Sequence, residues 1–212
     1  MGKIKQGILG GFSGKVGSVV GGSWKGISYM RGKAVSIKNP QTLKQMKQRT
    51  KFALALSILQ PIAAFIRIGF KRYARKKSEF NAAMSYTVKH AIVGTYPDYE
   101  INFLEMLVSR GRLPGARNAD AQSLSGRIRV TWSDNSGTGE AKPTDKVMIL
   151  VINLDNKEVT YITDGPPRSA GMAEIPVSPF WVGTEVGIYV TFITEDGKEV
   201  ATSTYCGSQP II

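Results

Sequence analysis

Past residue 97 the sequence changes its rhythm, and this change limits the fold more than any other feature. Before it, apolar residues recur at three- and four-residue spacing; after it, short β-branched and aromatic runs alternate with turn signals. EINFLEMLVSRG (100–111) reads as a strand and RLPGARNADAQS as a loop. SGRIRVTWSD, DKVMILVINLD, KEVTYITDG, GMAEIPVS, TEVGIYVTFITED and KEVATSTYC follow. That makes about seven short strands with almost no helix, the pattern of an antiparallel sandwich. Alternation places Ile128, Val130 and Trp132 on one face, and Val186, Ile188, Val190 and Phe192 on one face of a later strand. Trp132 is therefore read as a core anchor.

The preceding region is helical in pattern. Asn39-Pro40 marks a helix start, because Asn caps and Pro suits the first helical position. The helix is expected to run to about residue 60, where Pro61 kinks it or begins a second, PIAAFIRIGFKRYARKKS. Ser78-Glu79 signals a third helix, closing at Gly94. Residues 53–70 approach the length of a membrane span, but Gln60, Pro61 and Arg67 sit within them. Buried helices are the expectation, not a membrane span.

The first 22 residues are dense in glycine, and SWKGISYMRGKAVSI (23–37) reads as one or two short strands. The Gly14-Lys15 pair invites comparison with a phosphate-binding loop. That motif needs G-x-x-x-x-G-K-[ST], yet Leu9 stands at the first glycine position and Val16 at the hydroxyl position. No apolar strand precedes it, so nucleotide hydrolysis is not expected. Gly7/Gly11, Gly10/Gly14, Gly17/Gly21 and Gly22/Gly26 have GxxxG spacing, which permits close backbone approach. A glycine-rich arm that orders on a neighbouring subunit, for instance by strand addition, fits this composition.

Charge is strongly segregated. Residues 1–117 hold 21 Lys/Arg and 4 Asp/Glu, a net of +17, while residues 118–212 hold 7 and 12, a net of −5. No acidic residue precedes Glu79. A polyanion or acidic surface is the partner such a half favours. The cluster Lys71, Arg72, Arg75, Lys76 and Lys77 is interleaved with Phe70 and Tyr73. On a helix, Arg72, Arg75 and Lys76 would share a face able to neutralise phosphates without reading sequence. The competing reading is a helix end whose cations favour the C-terminal dipole.

Chemistry-bearing groups are sparse. His90 is the single histidine and Cys206 the single cysteine, so no internal disulfide, zinc module or evident triad is expected. Asp98 and Glu100 are read as solvated carboxylates near a Tyr-Pro-Asp-Tyr turn. Neither a metal site nor a cofactor is expected. MGKIKQGILGGF lacks an adequate apolar core and an evident cleavage site for a signal peptide, so synthesis in the cytoplasm is expected.

GFSGKVGSVVGGSWKGISYMRG, NPQTLKQMKQRTKF and FNAAMSYTVKHAIVGTYPDY together resemble an uncharacterised bacterial domain-of-unknown-function family. The likeness runs the length of the chain and implies no functional residues, because the family has no established activity. Asn39, Pro40, Thr42, Gln45 and Arg49 also resemble short segments of bacteriophage structural proteins. Val130–Trp132 and EVGIYVTFITEDGKEVATSTY resemble a fibronectin type III or immunoglobulin-like domain, which implies a binding or spacer module.

The expectation is an α+β protein: a glycine-rich basic arm with short strands (1–38), about three helices (39–96), then an antiparallel immunoglobulin-like β-sandwich (97–212, clearest over 125–212). The expected function is non-enzymatic assembly, as a homo-oligomer or larger particle, with a virion or phage-derived particle as the concrete version. Gly7, Gly11, Gly14, Gly17, Gly21, Trp24 and Tyr29 are the candidate self-association residues. The alternative is sequence-independent nucleic-acid binding through Lys15, Lys25, Arg31 and the basic cluster at 71–77.

Overall fold

Two bodies make up the chain, Met1–Thr42 and Leu43–Ile212, and each folds for its own reason. A computed structural model describes residues 2–4, 10–36, 39 and 41–212. The first body is a single antiparallel sheet of β1 (Lys3–Ile4), β2 (Phe12–Val16), β3 (Val19–Trp24) and β4 (Ile27–Gly32), in chain order. Register is set by two-residue loops, with Val16 paired to Val19 and Trp24 to Ile27. Lys25 (φ 48°) and Gly26 (φ 83°) both take the left-handed conformation that such hairpins require. The strand reading at 23–37 thus extends back to Phe12, and the glycine-dense stretch is pleated sheet over its described part.

In the second body the predicted helix start at Asn39-Pro40 shifts to Leu43. Gln41 has φ 48°, outside the helical region, and Pro40 lies outside the described residues. α1 (Leu43–Leu59) and α2 (Ala63–Gly69) meet at 90° across Pro61, which cannot donate the hydrogen bond that would continue α1. α3 (Glu79–His90) begins where Ser78 Oγ accepts from the Asn81 amide at 3.2 Å. It ends before Gly94, because Ile92–Thr95 leaves as β5 and pairs with β6 (Asp98–Ile101). Among the described residues no single helix is long and apolar enough to cross a membrane, although the bent pair α1–α2 passes by length and composition.

Seven strands form the sandwich: β7 (Arg117–Leu124), β8 (Arg127–Ser133), β9 (Lys146–Asn153), β10 (Val159–Ile162), β11 (Met172–Pro176), β12 (Glu185–Ile193) and β13 (Thr204–Pro210). A three-stranded sheet ordered β11-β8-β7 faces a four-stranded sheet ordered β10-β9-β12-β13, every pairing antiparallel. This is an immunoglobulin-like Greek-key arrangement. As alternation indicates, Ile128, Val130 and Trp132 meet Val186, Ile188, Val190 and Phe192 in one core. Trp132 sits edge-on to Phe192 at 5.5 Å and donates Nε1–H to the Arg168 carbonyl at 2.7 Å.

β9 explains how the helices and sandwich share a body. Val147, Ile149 and Val151 face the sandwich core, whereas Met148, Leu150 and Ile152 join a second core with Leu59, Ile62, Phe65 and Ile66. The helices therefore cover the outer face of the four-stranded sheet, giving three layers. Each large side chain buried this way contributes about 1.5–3 kcal/mol.

Two strand assignments near the boundary change. The strand expected at 100–111 is a strand only to Ile101. Beyond it Asn102 caps a turn, accepting from the Leu104 amide at 3.1 Å, and 106–113 runs as irregular chain that buries Met106, Val108, Ser109 and Leu113 while Arg110 and Arg112 stay exposed. Its backbone groups are satisfied laterally: Val108 N donates to Ser203 Oγ at 3.1 Å, and Ser203 N to the Ser109 carbonyl at 3.1 Å. Conversely, the expected loop RLPGARNADAQS supplies β7. Its polar composition suits a sheet edge, and it carries an irregularity between Arg117 and Asp120 where Asn118 has φ 50°.

Candidate functional site

The glycines of the first body make room for aromatics. Gly21 is paired with Gly14 and Met30, and a Cβ on it would collide with the Phe12 ring and carbonyl. Across the next pair, a Cβ on Gly22 would stand 2.9 Å from the Tyr29 ring. Gly11 similarly faces Ser28, Gly17 occupies a turn with φ 56°, and Gly7 lies outside the described residues. Gly14 and Lys15 lie inside β2, with Lys15 opposite Val20, and not at a strand-to-helix turn.

Register sorts this sheet into two faces. Lys15, Val20 and Arg31 form one row across three strands, so their side chains share a face. Tyr29 and Ile27, two and four residues before Arg31, lie on that face, as does Trp24 opposite Ile27. Trp24 is 52 % exposed, Ile27 72 % and Tyr29 49 %. Lys25 lies in the turn at the end of this face. The structure thus gathers Lys15, Lys25, Arg31, Trp24 and Tyr29, which the sequence analysis assigned to two separate roles.

The basic cluster is arranged differently from the helical face expected. Lys71–Tyr73 is a single 3-10 turn, and Lys76 has φ 58°, so Arg72, Arg75 and Lys76 form no common stripe. Gly69, the last α2 residue, is wedged where a Cβ would lie 2.5 Å from the Val108 carbonyl oxygen. Lys71 Nζ donates to the Gly197 carbonyl at 3.3 Å, and Arg72 pairs with Glu199. Arg110 stacks over Tyr73 with its guanidinium carbon 4.5 Å from the ring centroid. Two of the five cluster members are thus held by the β12–β13 connection. Lys77 also has a partner.

That connection forms part of an acidic cavity, which sequence reading missed. A space of about 650 Å³ is lined by Glu140, Asp145, Glu195, Asp196 and Glu199 together with Lys142 and Lys198. Thr194 and Lys198 hydrogen-bond Asp196 and hold its carboxyl well below the usual carboxylate range. Asp145 is 1 % exposed and uses Oδ2 for both the Lys142 amide (2.8 Å) and Arg168 Nε (3.2 Å). Its Oδ1 has no hydrogen-bond partner, and neither does buried Glu199 Oε2. Arg168 is wholly buried, donating also to Asn135 Oδ1 at 2.6 Å and the Pro114 carbonyl at 3.0 Å. These groups lie on separate loops, up to 59 positions apart in the sequence, which is why no local motif announces them.

Remaining reactive groups occupy ordinary settings. His90 ends α3 and stacks on Tyr86 at 4.6 Å. Asp98 and Glu100 lie on β6, opposite Thr95 and Val93. Burial pushes the Cys206 thiol up to about 12. Among the described residues, no group of three or more His, Cys, Asp or Glu side chains could hold a metal ion.

Comparison with known proteins adds the family. No curated protein matches the chain. Among solved structures, the fn3 domain of the human collagen alpha-1(XX) chain is similar at 12 % identity and a TM-score of 0.36, over 49 % of this chain and 89 % of that one. At that score the sandwich assignment rests on the strand order above. A family model matches residues 11–207, from the meander's second strand to the last strand of the sandwich. The chain belongs to the family of unknown function DUF6266.

Proposed function

We propose that the protein is a non-enzymatic structural component that self-associates through its N-terminal sheet and the exposed start of α1. A subunit of a virion or phage-derived particle is the concrete version. One observation carries the reading. Where burial is described in the first body, only Gly21 is buried, so its sheet is a single layer without a core. Such a layer is marginal in water unless something covers it. Trp24, Ile27 and Tyr29 on one face, and Met30 on the other, supply apolar surface to be covered, and exposed patches of this kind mark association sites. In the second body, Leu43, Met46 and Phe52 are separately exposed on α1.

Sedimentation of the full chain over a range of concentrations tests this. Self-association is expected, and Ile27→Gln with Met30→Gln is expected to weaken it without lowering the main thermal transition. A wild-type monomer at every concentration refutes the reading.

A second reading has its own support. Cations beside exposed aromatics, as Lys15 and Arg31 stand beside Tyr29 and Trp24, suit stacking on single-stranded nucleic acid. Fluorescence anisotropy with a random oligonucleotide at two salt concentrations tests it, and no binding at low salt removes it.

A further inference from the structure

We propose that copies of this chain join through two unlike surfaces: the cationic, aromatic face of the N-terminal sheet in one copy docks on the acidic cavity of the sandwich in another. The inference rests on the self-association reading and adds its two surfaces.

Three observations converge on that occupant. The first body has Lys15 and Arg31 in one row beside exposed Tyr29 and Ile27, and residues 1–42 contain no acidic residue at all. Joining two such sheets face to face would set like charges against each other, which disfavours an isologous contact. The complementary charge lies on the same chain, in the cavity lined by Glu140, Asp145, Glu195, Asp196 and Glu199 with Lys142 and Lys198. Asp145, Asp196 and Glu199 are ion-paired with Arg168, Lys198 and Arg72, so exposed Glu140 and Glu195 carry the cavity's outward negative charge. Within that cavity Asp145 is almost wholly buried, yet its Oδ1 is unpartnered, as is Glu199 Oε2. Ammonium and guanidinium donors are the groups that complement exposed carboxylates. The contact pairs two different surfaces, so each copy offers both a donor face and an acceptor cavity.

Charge exchange tests the arrangement on the full chain. Glu140 and Glu195 are exposed and outside the buried network, so Glu140→Lys/Glu195→Lys leaves Arg168 and Asp145 in place. That variant and Lys15→Glu/Arg31→Glu are each expected to raise the half-assembly concentration by about tenfold or more. Circular dichroism and thermal melting would establish that both are folded. Mixing the two variants is expected to restore assembly, since each cationic face then meets an acidic partner. Assembly of the cavity variant at the wild-type concentration overturns this inference while leaving self-association standing. A monomeric wild type defeats the self-association reading itself. Should Lys15→Glu/Arg31→Glu abolish oligonucleotide binding with no effect on assembly, the face serves nucleic acid and the inference fails.

Discussion

Arg168 Nε lies 3.2 Å from Asp145 Oδ2, and the two side chains are 0 % and 1 % exposed. Burial lowers the Arg168 pKa and the Asp145 carboxylate opposes that shift, so the arginine depends on its partner for charge balance. The guanidinium also lies 3.8 Å from the Phe192 ring centroid, which ties the pair to the sandwich core. Asp145→Asn should cost about 3–5 kcal/mol, because it strands a buried cation. Asp145→Asn combined with Arg168→Met should cost less than the two single changes together, by more than about 1 kcal/mol. Urea denaturation of the four proteins measures this, and strictly additive costs would show that the pair is not coupled.

Cys206 provides a probe of sandwich integrity. Its thiol is pushed up to about 12 from an ordinary value of 9.0, first by burial and then by nearby Asp120. Thiolate chemistry should therefore be slow at neutral pH in the folded protein and fast in denaturant. The folded pKa is raised, so the stability linked to this group is complete below about pH 9 and declines as pH rises towards 12. Cys206→Ala should delay alkaline loss of stability until Tyr189 begins to titrate, since burial raises that phenol too. Melting curves between pH 8 and 11 decide the matter (roughly the window in which the unfolded thiol titrates).

At Gly69 two effects oppose each other. Alanine would favour the helix by about 1 kcal/mol. Its Cβ, however, would stand 2.5 Å from the Val108 carbonyl and 2.8 Å from Ser109 Cβ, where the Arg110 amide also bonds Gly69 O at 2.9 Å. Overpacking of that kind costs about 1–3 kcal/mol, so Gly69→Ala should be net destabilising. A rise in the urea midpoint would contradict the close approach.

Gly21→Val should dismantle the N-terminal sheet alone, because the new side chain takes the place of the Phe12 ring. Leu43–Ile212 has separate hydrophobic cores, to which no described residue of the first body contributes. Limited proteolysis should then cut between residues 12 and 32 far faster than in the wild type, leaving the larger body intact. Equal cutting rates would show that the sheet tolerates the change.

Much of the sandwich was legible because burial periodicity is written locally. The alternation in GRIRVTW selects one face of β8, and the unbroken VMILVI of β9 belongs to a strand covered on both sides. The polar segment Arg117–Leu124 gives no such signal, since it becomes a strand by pairing along β8 at the sheet edge. The run at 103–108 misleads for the opposite reason: Met106 and Val108 are buried, yet the Val108 amide bonds Ser203 Oγ and the Met106 amide the Asn102 carbonyl, and not a regular ladder.

The amino-acid order alone determined the α+β division, the inward faces of β8 and β12, the break at Pro61 and the segregation of charge. Each depends on side chains a few residues apart or on composition. Tertiary structure alone decided that Lys71 and Arg72 are held by Gly197 and Glu199, and that Lys15 and Arg31 share a row. It also decided that Arg168 and Asp145 meet inside the sandwich, leaving a carboxylate oxygen unpartnered. Those relationships join residues from 16 to about 130 positions apart. They arise from how strands pair and layers stack, which no local pattern encodes.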